Sequence, residues 1–289
     1  MKMKKTLIAL ALATSAASSA AHAWQQGDFT GSVELGGNIT AEDLRNKWSW
    51  QVGSGLNNFD HTMADMTENG KKLVIRVSGD KSLVAGKTNV AFAAPVAGGV
   101  GAIPHIALTD YEGNSVSFTQ KGEDGSRTNL GFITLPMKDA EGNKLGQATI
   151  QVTYGAFAGV AGGPQVNESG LRALYAINTN SIFYGGFPSD LSGGESTDAA
   201  ATAMKVSKLG GLSAADALAQ IQAVNPSVTT LSPHNSSGTE NMKYTNGNVV
   251  SASYALGIAN NNPIELEFTN SVRSSTTWNV PLNVAVTYN

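Results

Sequence analysis

The feature that most constrains this chain is the alternation in residues 28–40, DFTGSVELGGNIT. Phe29, Gly31, Val33, Leu35, Gly37 and Ile39 take every second position, and Thr30, Ser32, Glu34, Gly36, Asn38 and Thr40 take the others. A β-strand points successive side chains to opposite faces, so the segment reads as a strand with one apolar or flat face and one polar face. No turn signal folds it back on a neighbour. Thr40-Ala-Glu-Asp43 follows instead, a capping-box pattern that predicts a short helix over residues 41–46. A strand with nothing to fold back on reads as one that fills a groove, and the groove need not belong to the same molecule.

The chain opens MKMKKTLIALALATSAASSAAHA. Lys2, Lys4 and Lys5 make a positive start, residues 7–13 an apolar core, and Ala21-His22-Ala23 an A-x-A cleavage pattern. These read as a secretory signal peptide over residues 1–23, which places the start of the mature chain at Trp24 and leaves about 266 residues. No later apolar run is long enough to span a bilayer as a helix. Without the three signal lysines the formal charge of -3 becomes about -6. A mildly acidic, lysine-poor chain is a poor match to phosphate backbones, so nucleic acid is not an expected partner. There are no cysteines. Thiol chemistry and cysteine metal sites are therefore excluded, and stability must come from burial and strand pairing.

Short strand-like segments recur along the chain. Trp48, Trp50 and Val52 alternate with polar residues, and Leu73, Ile75 and Val77 share a face after the turn signal Asn69-Gly70. Residues 104–109 and 115–119 read as a hairpin about 111–114, and residues 130–137 and 145–154 as another about 139–143. Residues 249–256, 264–268 and 280–288 are also strand-like. Many short strands at regular spacing predict a β-sandwich. Residues 155–246 break the pattern. A helix is expected over 198–209, stopped by Gly210-Gly211. A second is opened by the capping box Ser213-Ala-Ala-Asp216 and runs to Val224 before Asn225-Pro226. Leu218, Ile221 and Val224 form a stripe expected to pack. This region reads as an inserted, partly helical subdomain, and insertions on a rigid scaffold commonly carry binding.

The far end mirrors the near end. In WNVPLNVAVTYN, Val280, Leu282, Val284, Val286 and Tyr288 share one face, extended by Trp278. Asn283, Ala285, Thr287 and Asn289 face the other way. Together with residues 24–40, 103–116, 134–146, 182–186, 221–231, 249–260 and 276–288, in that order, these blocks make the chain resemble the chaperone–usher fimbrial subunits, in particular the FaeG-type major fimbrial adhesins and related ClpG-type subunits. The resemblance covers essentially the whole mature chain. It implies a mainly β fold: an incomplete immunoglobulin-like sandwich completed by donor-strand complementation. Residues 24–41 would be the donor extension, and residues 42–289 the pilin domain, with its insert at about 155–246. Phe29, Gly31, Val33, Leu35, Gly37 and Ile39 would fill a neighbour's groove. Val280, Leu282, Val284, Val286 and the penultimate Tyr288 would be the strand that a periplasmic chaperone reads. The implied partners are neighbouring copies of the chain, that chaperone, an outer-membrane usher and a host glycoconjugate receptor. The implied location is a fimbrium on the cell surface.

The family's receptor site lies in the inserted subdomain, where this chain departs most. Sugars bind by stacking on an aromatic ring while polar side chains address the hydroxyls. Glu168, Arg172, Tyr175 and Asn178 supply those types within a few residues, and Phe183 and Tyr184 read as core. An enzyme is not expected. His61, His105 and His234 stand apart from any nucleophile-elbow pattern, no histidine pair has metal-ligand spacing, and no cofactor is implied. Asp110-Tyr-Glu112-Gly113 reads as a turn and lacks the ligand set of a calcium loop. Two other classes fit parts of the chain. An outer-membrane β-barrel would need more long alternating segments, and a monomeric periplasmic sugar-binding sandwich would be stable alone.

Overall fold

The computed structural model describes residues 26–28, 36–38, 40–95, 100–120, 129–163, 169–188 and 198–289. The chain divides into two units, Met1–Thr40 and Ala41–Asn289. In the first, the described residues are irregular and exposed. The second holds all the regular structure among the described residues.

That unit is mainly β. Its strands are β1 (Trp48–Val52), β2 (Lys72–Arg76), β3 (Lys81–Thr88), β4 (Pro104–Thr109), β5 (Thr119–Gln120), β6 (Leu130–Lys138), β7 (Lys144–Ala161), β8 (Gly170–Leu174), β9 (Ser232–Gly238), β10 (Val249–Ile258), β11 (Pro263–Phe268) and β12 (Asn283–Tyr288). Two helices, α1 (Ala199–Lys208) and α2 (Ala214–Val224), lie between β8 and β9. The large sheet runs β1-β3-β10-β7-β11-β2, and the small one pairs β12 with β4.

The 18-residue β7 is the spine. Its first half pairs with β6 and β11, and its second half with β8 and β10. One face of the large sheet packs against β4 and β12. The main core lies there, with Ile75, Val84, Ile106, Leu108, Ile133, Tyr254 and Leu266 buried. The other face, over the second half of β7, is covered by the helices, where Phe157, Leu171 and Ala255 meet Ala203, Val206 and Ala217. The result is a β-sandwich with a helical layer outside it.

A strand buried on both faces carries no polar alternation, and TYGAFAGVA in β7 is buried throughout. Its small residues let the helices approach. A Cβ added to Gly159 would lie 2.7 Å from Leu231 Cδ1 and 3.2 Å from Ile221 Cδ1. A polar group secures the contact. Gln220 of α2 accepts from the hydroxyls of Thr88 and Ser251 at 2.8 Å each and donates to the Thr88 carbonyl at 2.7 Å. Every polar atom of the Gln220 amide except one N–H is thus used by the sheet, as burial requires.

Several expectations hold. The Ser213–Asp216 capping box forms reciprocally, and Asp198 caps α1 through Ala201 N–H at 2.9 Å. The 139–143 turn is held by Asp139, which accepts from the backbone N–H of Asn143 at 2.7 Å. Asn69 and Gly70 both take positive φ, as a tight turn asks. Others are corrected. Residues 41–46 form no helix and no capping box. Asp43 instead bridges Val100 and accepts from Arg45, leaving only a single turn at Arg45–Lys47. The 104–119 hairpin forms only at its turn end, where Thr109 bridges Ser115 and Val116 N–H donates to Leu108 O, and the chain then leaves β4 to join β6. The last strand starts at Asn283 rather than Val280, since Pro281 has no N–H to give a ladder. Val224 is 53% exposed while Ile221 is buried, so the packed stripe of α2 is Ala217–Ile221. Phe183 is core, but Tyr184 is 37% exposed.

Two outcomes follow. Gly159→Val destabilises the domain by about 1–3 kcal/mol through overpacking under the helices, read by chemical denaturation. Ser213→Ala removes a cap worth about 1 kcal/mol. Hydrogen bonds from Ser213 hold the Asp216 carboxyl below its ordinary range, so the part of this contribution that comes from the Ser213 hydroxyl on the carboxylate is full above that range and is lost as pH falls through the lowered value. The gap between parent and Ser213→Ala in denaturation midpoint should therefore narrow in acid to the part held by Asp216 N–H on Ser213 Oγ.

Candidate functional site

The small sheet is asymmetric. In β4, Ile106 and Leu108 are 4% and 3% exposed. In and just after β12 the exposed Asn283, Ala285, Thr287 and Asn289 alternate with the apolar face as the sequence predicts, yet Val280, Leu282, Val284, Val286 and Tyr288 are all only half-buried. Among the described residues β12 has a partner on one edge only, in a register from Asn283↔Thr109 to Tyr288↔Pro104. The other edge of β4 is taken, since Ile106 N–H donates to Tyr184 O at 2.8 Å and Phe183 N–H to Pro104 O at 2.7 Å.

Beside the chain that leads into β12 lies a cleft of about 880 Å³. Its floor is the inner face of the large sheet, with Leu73, Leu83, Ile150, Ile258, Ile264 and Phe268. One lip is the chain that follows β1, from Gly53 to Met66, and the other is the chain that leads into β12, from Val272 to Pro281. Phe59 and Trp278 stack between the lips, with ring centroids 6.4 Å apart and planes 10° apart. The floor is apolar and carries no charge, while Asp60 and His61 stand on the first lip. The chemistry such a cleft can perform is to receive apolar side chains from an extended segment whose backbone pairs with the free edge of β12.

At the other end of β12 the two strands are joined. Trp50 Nε1 of β1 donates to the Tyr288 hydroxyl oxygen at 3.0 Å. Burial pushes the Tyr288 phenol above its ordinary value, against the opposite pull of the hydrogen bond it accepts from Trp50. The terminal residue is also tied down: Asn289 N–H donates to Ile103 O at 3.1 Å, and Asn289 O accepts from Gly101 N–H at 3.2 Å. Arg45 lies against Gly101 and holds the Asp43 carboxyl down to about 2 through a side-chain hydrogen bond.

Of the donor residues named from sequence, Gly37 is exposed with open space around it. Phe29, Gly31, Val33, Leu35 and Ile39 lie outside the described residues, as does Glu168. Arg172 and Tyr175 sit in and just after β8, both half-buried, with Tyr175 packed against the main core and its N–H donating to Gly238 O at 3.0 Å. Asn178 is exposed, and its side-chain oxygen closes a turn by accepting from Asn180 N–H at 3.0 Å. The three are near in sequence, and no contact joins their side chains. Tyr184, read as core, instead presents an exposed ring edge-to-face with His105 at 5.6 Å. Sequence reasoning did not find the cleft lips or the Trp50–Tyr288 pair. The alternation of Trp48 and Trp50 was visible, but nothing local signals which strand the outer tryptophan will face. Among the described residues no group of His, Asp or Glu is placed to hold a metal.

Comparison with known proteins adds identity to this geometry. A family model described as "Fimbrial, major and minor subunit" matches residues 3–289. The chain is 50% identical to K88 fimbrial protein AC of Escherichia coli over 286 residues, covering 99% of this chain and 100% of that protein. It is 49% identical to K88 fimbrial protein AD over 287 residues with the same coverage. F41 fimbrial protein, also of Escherichia coli, is 26% identical over 296 residues. With the model matched almost end to end and half its residues shared with K88 subunits, the chain belongs to the family of fimbrial major and minor subunits, structural components of a surface fibre rather than enzymes.

Proposed function

We propose that this fimbrial subunit polymerises by donor-strand exchange: residues 28–40 of one copy enter the cleft beside β12 of the next. The observation that carries the reading is the half-covered inner face of β12 together with the apolar-floored cleft beside the chain that leads into it. Lengths agree. From Val280 to Tyr288 an extended chain spans about 27 Å, and from Phe29 to Ile39 about 33 Å. Phe29, Val33, Leu35 and Ile39 would each contribute roughly 1.5–3 kcal/mol on full burial. Main-chain bonds to the free edge of β12 add to this. Gly31 and Gly37 suit places where the floor rises. A one-residue slip would turn Thr30, Ser32, Glu34 and Asn38 inward, so the donor face is specified.

The same edge has to be covered before assembly, because an exposed apolar strand edge aggregates. A periplasmic chaperone that adds a strand to β12, reading Val280, Leu282, Val284, Val286 and Tyr288, meets that need, and an outer-membrane usher would exchange it for the donor. The insert at about residues 155–246 is the proposed receptor-binding region, with a host glycoconjugate as ligand and Glu168, Arg172, Tyr175 and Asn178 as the side chains that contact it.

Val33→Asp places a charge in the cleft. It is expected to abolish fibres seen by electron microscopy while chaperone-bound subunit, measured by co-purification from the periplasm, stays at the parental level. Normal fibres from this variant would overturn the exchange mechanism. For the receptor, Arg172→Ala with Tyr175→Phe should lower binding of assembled fibres to a glycan array at least tenfold with fibre yield unchanged. Unchanged binding would move the sugar site elsewhere.

A further inference from the structure

We propose that the Trp50–Tyr288 hydrogen bond is an end-stop that sets the register of the incoming donor strand; this rests on the donor-strand reading above. The alternation of residues 28–40 excludes a slip of one residue but not a slip of two, which keeps every side chain on its face. The donor face reads Phe, Gly, Val, Leu, Gly, Ile, so a slip of two would set Phe29 where Gly31 belongs or the reverse. Something other than facial pattern has to choose, and a fixed obstacle at one end of the groove does so.

The obstacle is well anchored. The Trp50 ring lies flat on Gly86 of β3, where any side chain would collide with it. It also meets the buried Phe183 edge-on, at 6.1 Å and 78°. Tyr288 is held from behind, because Asn289 N–H and O are bonded to Ile103 and Gly101. The hydrogen bond of 3.0 Å then joins β1 to β12; neither ring lines the cleft, whose lining on the β1 side starts three residues on, at Gly53. The donor is joined at Ala41 to a folded body, which needs the open end. The large apolar inward residue nearest the closed end is therefore Phe29, preceded on its face by Gly27 and Gln25. A slip of two toward the clasp drives Phe29 into the Trp50–Tyr288 pair, and a slip away leaves a void.

The test uses full-length chains, which lack cysteine. Ala285→Cys, on the exposed face of β12, is paired in turn with Ser32→Cys, Glu34→Cys and Gly36→Cys on the donor's polar face. Fibres are assembled in cells, oxidised, boiled and run without reductant, so that a ladder marks strand neighbours. In the parent, one of the three pairs should dominate. In the Tyr288→Phe background, which keeps the ring and loses the bond, the pair two residues away should rise by about fivefold, the ratio that one hydrogen bond supports. Trp50→Phe should do the same. An unchanged single ladder in both backgrounds overturns the end-stop and leaves strand exchange standing. No ladder from any pair in the parent overturns both.

Discussion

A β-strand has two edges and two faces, and among the described residues β12 has a partner on one edge and half-cover on one face. Everything distinctive about the molecule depends on that imbalance. The other inner strands meet ordinary conditions: Ile75, Val84, Leu108, Ile150 and Leu266 are buried, and their backbones pair on the sheet. At β12 the same apolar alternation meets a gap. Apolar surface left against water costs free energy in proportion to its area, and a free edge is a template for another chain. The proposed donor strand would relieve both costs, and the family shows what the assembled product is: a surface fibre.

The helical layer works in the opposite sense. It closes the outer face of the large sheet over β10 and the second half of β7, which read as runs of Ala, Gly, Ser and large apolar residues with no exposed side. Small residues on the strands, Gly155 and Gly159 among them, allow close approach, and the Gln220 amide locks α2 to Thr88 and Ser251. A rigid layer on one face and an unfilled cleft on the other is a sensible division for a subunit that must polymerise through one surface while presenting another.

How much of this could be read from residues alone varies with the physical signal. β12 and β2 were legible because one face is wet and one dry, so alternation survives in the sequence. The helices were legible from their caps, Asp198 and Ser213. The strand β3, KSLVAGKT, was missed because its burial does not alternate. β9, SPHNSSG, was missed because its residues are polar and it pairs parallel to β8. The helix expected after Thr40 failed because Arg45 competes for the Asp43 carboxylate that a capping box needs. At the site, the apolar face of β12 was visible beforehand. The lining of the cleft was not, since its lips come from residues 53–66 and 272–281, where only Trp278 and Val280 carry the alternation, and they meet through tertiary contacts such as Phe59 with Trp278.

The most direct test of the central claim is the structure of the assembled fibre at side-chain resolution. The account predicts continuous density for residues 28–40 running beside β12, covalently traceable to the adjacent subunit, with Val33 and Leu35 facing Ile150 and Ile264. Density in that cleft tracing back to the same subunit, or a cleft left vacant within an intact fibre, would contradict it.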